Sequence, residues 1–176
     1  MKRILFGMLA LAFLGGCIEL ENYPDTPEIN HKGYEISLQK DMLGNNVYHA
    51  TLTLKVVDGD GNIGLGEEDT TGYFHKDSIY YNNLFIRLFE KRDGQFKEKI
   101  LSVPHNYRTP NIEIKGQNKT LVADIKVTMD YSPIGILADT LMYEYYLYDH
   151  DLNKSNTVQT PIIIVSELLK INTNGN

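Results

Sequence analysis

The chain has one cysteine, no tryptophan and less base than acid, and each shortage closes off a class of protein. A single thiol cannot form an internal disulfide, so the fold has to stand on its hydrophobic core. Lysine and arginine number 17 against 23 aspartates and glutamates, a net charge of −6. Binding to nucleic acid or to anionic headgroups needs the opposite balance. The apolar run from Ile4 to Phe13 is shorter than the roughly 20 residues a membrane-spanning helix requires. The lack of tryptophan works against a flat sugar-stacking face. There is no His-Glu zinc motif, no nucleophile elbow and no phosphate-binding glycine loop. The five histidines, His31, His49, His75, His105 and His150, stand singly, so the chain reads as a non-enzymatic protein. No segment shows a sustained helical period, and there is no internal repeat.

What is present begins at the N-terminus. Lys2 and Arg3 followed by the apolar run have the pattern of a secretory signal, residues 1–16. Leu14-Gly15-Gly16-Cys17 resembles the lipobox of bacterial lipoproteins, which implies that Cys17 carries lipid and becomes the new N-terminus. Ile18 after the cysteine resembles lipoproteins sorted onward to the outer membrane. Losing residues 1–16 removes two basic residues and no acid, which takes the net charge to −8. Lipid rather than charge is then the attachment to the membrane: each buried methylene contributes about 0.8 kcal/mol, so two or three acyl chains make a durable anchor. Residues 17–31, with Pro24, Pro27 and several acids, read as a flexible tether able to span some 40 Å. Residues 32–170 suit one domain, and residues 171–176 read as a disordered tail.

Strand patterns fill the domain. Leu52, Leu54 and Val56 alternate with Thr51, Thr53 and Lys55, and Leu121 to Met129 alternates as cleanly. Leu84–Phe89, Leu141–Tyr148 and Pro161–Val165 are apolar on both sides, as core strands are. Weaker strands are predicted at Tyr34–Leu38, Phe96–Leu101 and Ile112–Lys115. Asp93-Gly94 and Gly116-Gln117-Asn118 supply turns, and Ser132-Pro133 predicts one helical turn. The expected fold is all-β, an antiparallel β-sandwich of immunoglobulin or fibronectin type III kind. Taken in that order, Tyr48–Val57 is strand B and Leu141–Asp149 strand F, and the loops after them share one pole.

That pole gathers acids. Asp58, Asp60 and Asn62 alternate with glycines and isoleucine, and Asp69 stands where a calcium loop carries its last carboxylate. Ile63 replaces the usual glycine, and no helices are predicted to flank the loop. Asp149 and Asp151 would converge on the same end. Hard oxygen donors on a bent chain are what Ca²⁺ requires, so the pattern offers a site for one structural calcium ion; the alternative is a tight loop whose carboxylates stay in water, since Asp, Gly and Asn are also what such loops are made of. In the long connection from Asp58 to Asn83, Tyr73, Phe74, Tyr80 and Tyr81 are expected to pack as a short extra strand. The tyrosines between Tyr143 and Tyr148 are expected to pack with their hydroxyls reaching water.

The stretches Val56–Asp69, Asn83–Glu98 and Asp139–Val165 look like lipoproteins of Bacteroidota that carry an immunoglobulin-like or fibronectin-like domain. That resemblance implies outer-membrane anchorage and a β-sandwich, and it implies no particular activity. The function expected is a lipid-anchored envelope protein offering its sandwich to another envelope protein. The alternative is a glycan-binding accessory of an outer-membrane uptake system.

Overall fold

The computed structural model describes residues 23–112, 114, 118–132 and 138–173. The signal peptide, Cys17, the predicted helical turn beyond Ser132, the turn at Gly116-Gln117 and part of the predicted strand at Ile112–Lys115 lie outside them. Among the described residues nine strands occur in the order β1 (Glu28–Lys40), β2 (Asn46–Asp58), β3 (Leu84–Arg92), β4 (Gln95–Glu98), β5 (His105–Tyr107), β6 (Leu121–Tyr131), β7 (Thr140–Leu147), β8 (Val158–Gln159) and β9 (Ile163–Ile164). A helix, α1 (Val165–Thr173), follows.

The strands form two antiparallel sheets. One has the order β1-β2-β6 and the other β4-β3-β7-β8, with β5 also on β3 and β9 also on β7. Alternation explains the arrangement. Leu52, Leu54 and Val56 of β2 are buried, as are Leu84, Ile86 and Leu88 of β3 and Leu141, Tyr143 and Tyr145 of β7. All belong to one hydrophobic cluster. Tyrosine hydroxyls bond across it: Tyr131 Oη lies 2.8 Å from Tyr143 Oη, and His31 Nδ1 lies 3.1 Å from Tyr145 Oη. These hydroxyls therefore find partners inside the core, where water was expected. The two sheets and their shared core are consistent with a β-sandwich.

The turn chemistry is as the sequence indicates at Asp93-Gly94, where φ is +54° and +79°, the mirror-image turn that suits a two-residue hairpin. Three expectations are corrected. β1 begins at Glu28, inside the stretch read as tether, because Ile29 is fully buried and pairs with Val56. The apolar run at Pro161–Val165 gives only a two-residue strand before α1, and α1 takes up residues 171–173 of the predicted tail. The local cues are short, Glu167 in the first turn and Lys170 in the last, and the cap comes from a distance. Asp139 accepts hydrogen bonds from Ser166 N–H at 2.9 Å and from Ser166 Oγ at 3.1 Å, 27 residues away in sequence. Half-buried Leu168 and Leu169 then pack on the core.

Candidate functional site

Two core-facing rows end on charge at the same pole. Ala50, Leu52, Leu54 and Val56 face inward from β2, and the two-residue period of the strand carries the next inward position to Asp58. On the opposite sheet Leu141, Tyr143, Tyr145 and Leu147 face inward, and the row continues to Asp149. Asp58 and Asp149 are both 0 % exposed. The pattern that buries leucine along the strands buries a carboxylate at each end.

The loops beyond them are joined. Asp58 Oδ2 accepts from the Asn62 backbone N–H at 3.0 Å. The Asn62 amide Nδ2 donates to Asp60 Oδ2 at 2.9 Å and to Asp151 Oδ2 at 3.1 Å. From the other loop, the His150 backbone N–H donates to the Asn62 carbonyl at 3.1 Å. Asp149 is occupied with its own turn, accepting from Asn153 N–H at 2.7 Å and from Asn153 Nδ2 at 2.8 Å. What these bonds leave over is specific: Asp58 Oδ1, Asp60 Oδ1 and Asn62 Oδ1 are buried and have no hydrogen-bond partner. A buried polar atom without a partner costs about 1–3 kcal/mol, and here three lie on adjoining side chains.

The electrostatics follow from that crowding. Burial, then the charges of Asp60 and Asp149, push the Asp58 carboxyl up to about 7. Burial also raises Asp149, against the two hydrogen bonds from Asn153. Among the described residues, none of the ion pairs involves Asp58, Asp60, Asp149 or Asp151. By contrast, buried Glu90 at the other pole has Arg92 and Lys99 against it.

Of the six predicted residues, Asp58, Asp60, Asn62, Asp149 and Asp151 come together, and Asp69 does not join them. Its carboxylate accepts from Gly66 N–H at 2.7 Å and lies 3.1 Å from His150 Nε2. Although burial pushes its pKa upward, the hydrogen bonds from His150 and Gly66 hold it below the usual value. Among the described residues no group of three or more His, Cys, Asp or Glu side chains is placed so that it could hold a metal ion.

The long connection contains two single-turn 3-10 helices, Gly72–Phe74 and Ile79–Tyr81, in place of the predicted extra strand. Its aromatics are spread out: Phe74 lies against His150 at 4.9 Å, Tyr80 edge-on to Tyr148 at 5.2 Å, and Tyr73 is exposed. Arg108 organises this loop. It donates to the carbonyls of Tyr81 at 2.7 Å, Gly66 at 2.8 Å and Asp69 at 3.1 Å, and lies over the Tyr81 ring. A lone arginine whose partners are carbonyls 27 to 42 residues away leaves no spacing to read. Among the described residues no helix is long and apolar enough to cross a membrane. No protein-family model, no curated protein and no solved structure matches this chain.

Proposed function

We propose that the chain is a lipid-anchored, non-enzymatic envelope protein, held at the outer membrane through Cys17, whose sandwich presents its distal loops to a partner protein. In this reading β1, β2 and β6 are strands A, B and E, and β4, β3, β7 and β8 are C′, C, F and G. Immunoglobulin and fibronectin type III sandwiches set their strands side by side in that order.

The observation that carries the proposal is polarity along the long axis. The chain comes into the domain at the acidic pole, where Gly59 N–H donates to the Pro24 carbonyl at 2.9 Å. Only the six residues from Ile18 to Tyr23 then separate Cys17 from the domain, a reach of at most about 20 Å. A lipid on Cys17 keeps that pole near the bilayer. The β1–β2 hairpin tip, at the other end, carries Met42 at 103 % and Leu43 at 87 % exposure. The tip is held: Asp41 accepts from Leu43 N–H at 2.9 Å and from Asn45 N–H at 2.8 Å. Two large apolar side chains on a fixed turn bind a partner with little further ordering cost.

Two measurements test this. Cys17→Ser should move the protein out of the membrane fraction; unchanged fractionation would end the anchoring proposal. A photo-crosslinking residue at position 43 should trap an envelope protein in intact cells, with the adduct lost when Met42 is changed to Asp. No adduct, or one indifferent to Met42→Asp, removes the hairpin tip as the contact.

A second reading has its own observation. On the outer face of the β3–β7 sheet, Phe85 stacks on Tyr146 at 5.3 Å and Tyr148 meets both rings edge-on at 5.9 Å. Such a row suits a glycan. If it binds one, Tyr146→Ala should abolish retardation in polysaccharide gels while Leu43→Asp leaves it intact.

A further inference from the structure

We propose that the acidic pole is a Ca²⁺ site in which Asp58 Oδ1, Asp60 Oδ1 and Asn62 Oδ1 are ligands, water fills the remaining positions, and Asp149 and Asp151 act from outside the ligand set through their negative charge.

The first observation is the set of three partnerless oxygens. Each belongs to a side chain whose other polar atom is already committed. Asp58 Oδ2 is bonded to the Asn62 backbone, and Asp60 Oδ2 is bonded to Asn62 Nδ2, which also bonds Asp151. The three side chains are thus fixed relative to one another before any ion arrives, and the atoms not used in fixing them are all oxygen acceptors. When both are ionised, Asp58 and Asp60, which lie close enough to share a hydrogen bond, offer each other only acceptors. Asp58 is fully buried, so its free oxygen cannot turn to water.

The second observation is charge. Four carboxylates, Asp58, Asp60, Asp149 and Asp151, meet at one end of the sandwich with no cationic side chain paired to any of them among the described residues. Arg108, the guanidinium on the neighbouring loop, is spent on the carbonyls of Tyr81, Gly66 and Asp69. His150 is turned to Asp69.

The donor chemistry selects the ion. Two carboxylates and an amide oxygen are hard ligands, with neither thiolate nor imidazole among them, which disfavours zinc and the softer metals. Ca²⁺ accepts six to eight oxygens in irregular geometry and tolerates an amide or water in the shell, whereas Mg²⁺ demands a near-ideal octahedron and keeps its own waters. The trio lies on a loop leaving a strand, so this is not the helix-flanked loop of EF-hand proteins. An ion there would bridge the connection after β2 to the one after β7, and through Gly59 it would fix the point where the chain joins the domain.

The experiment uses the full-length protein in detergent, stripped with chelator and titrated with CaCl₂ by calorimetry and thermal melting. One site should appear. At a free Ca²⁺ concentration about a hundred times the dissociation constant, the melting midpoint should rise by roughly 5–10 °C. Asp58→Asn and Asp60→Asn should each weaken binding at least about tenfold. Asp151→Asn, at an exposed position that leaves the core untouched, should weaken it severalfold. Asp69→Asn, outside the ligand set, should bind as wild type does. Absence of heat and of a midpoint shift overturns the site. Equal affinity for MgCl₂ overturns the assignment to calcium, and an Asp69→Asn loss as large as that of Asp58→Asn overturns the ligand set.

Discussion

In chelator, Asp58→Asn should be more stable than wild type at pH 8 and no more stable at pH 4. The folded-state pKa of Asp58 is about 7, against about 3.9 for an unfolded aspartate. Between those values the folded protein holds a proton that the unfolded chain has released. Wild-type stability therefore falls as pH rises from about 4 and levels off above 7. Asparagine, nearly the same shape, carries no proton to lose. Three pKa units correspond to about 4 kcal/mol, so a gap of about 2–4 kcal/mol should open by pH 8. Other groups titrate in the same range. Burial lowers His31 and His105, so they add stability as pH rises towards their unfolded value. Glu90 is held below its ordinary value, against the push of burial, by Lys99 and Arg92, and it loses stability only in acid. These contributions are common to both proteins and cancel in the difference, whereas Asp149, also raised by burial and facing Asp58, ionises more readily once the Asp58 charge is gone and adds to the gap. Urea denaturation of the pair at pH 5 and pH 8 makes the measurement, and a gap that does not change with pH would sink the account of Asp58. Saturating Ca²⁺ should invert the ranking at pH 8, because an ion stabilises only the form whose ligands are ionised.

That behaviour was half visible in the residues. The alternation that identifies β2 and β7 as half-buried strands also states which positions face the core, and extending it by two residues reaches Asp58 and Asp149. Sequence reading brought the acids to one pole on the assumption that loops after strands B and F meet, and the His150–Asn62 and Asn62–Asp151 bonds are that meeting. Asp69 stands apart from the other acids because the calcium-loop pattern counts residues along a continuous turn. Here the chain departs from that path at Gly64 and Leu65 to run beside Thr109 and Pro110. Pairings between segments 45 residues apart leave no period to detect. The same holds for α1, whose cap is Asp139, and for the long loop, whose carbonyls are gathered by Arg108.

Gly64→Ala should be severely damaging, costing at least about 3 kcal/mol. Gly64 sits at φ +109°, where a side chain is strained in any surroundings, and an added Cβ would lie 2.3 Å from the Pro110 carbonyl oxygen and 2.7 Å from Asn111 Cα. Neither obstacle is a flexible side chain, so the two backbones have to separate. Separation breaks the 2.9 Å bond from Leu65 N–H to the Thr109 carbonyl and loosens buried Ile63 and Leu65 on either side. Gly66 and Asp69, whose carbonyls Arg108 holds, would shift with them. The midpoint of thermal unfolding should drop by roughly 6–12 °C, and protease cleavage within residues 66–82 should quicken. Gly72→Ala is the matched comparison: φ is +58° there, but nothing lies within 4 Å of the added Cβ, so only the backbone penalty of about 1–2 kcal/mol applies. Equal losses from the two substitutions would mean that the close approach of Gly64 to Pro110 does not hold the loop, and that the loop's position has some other cause.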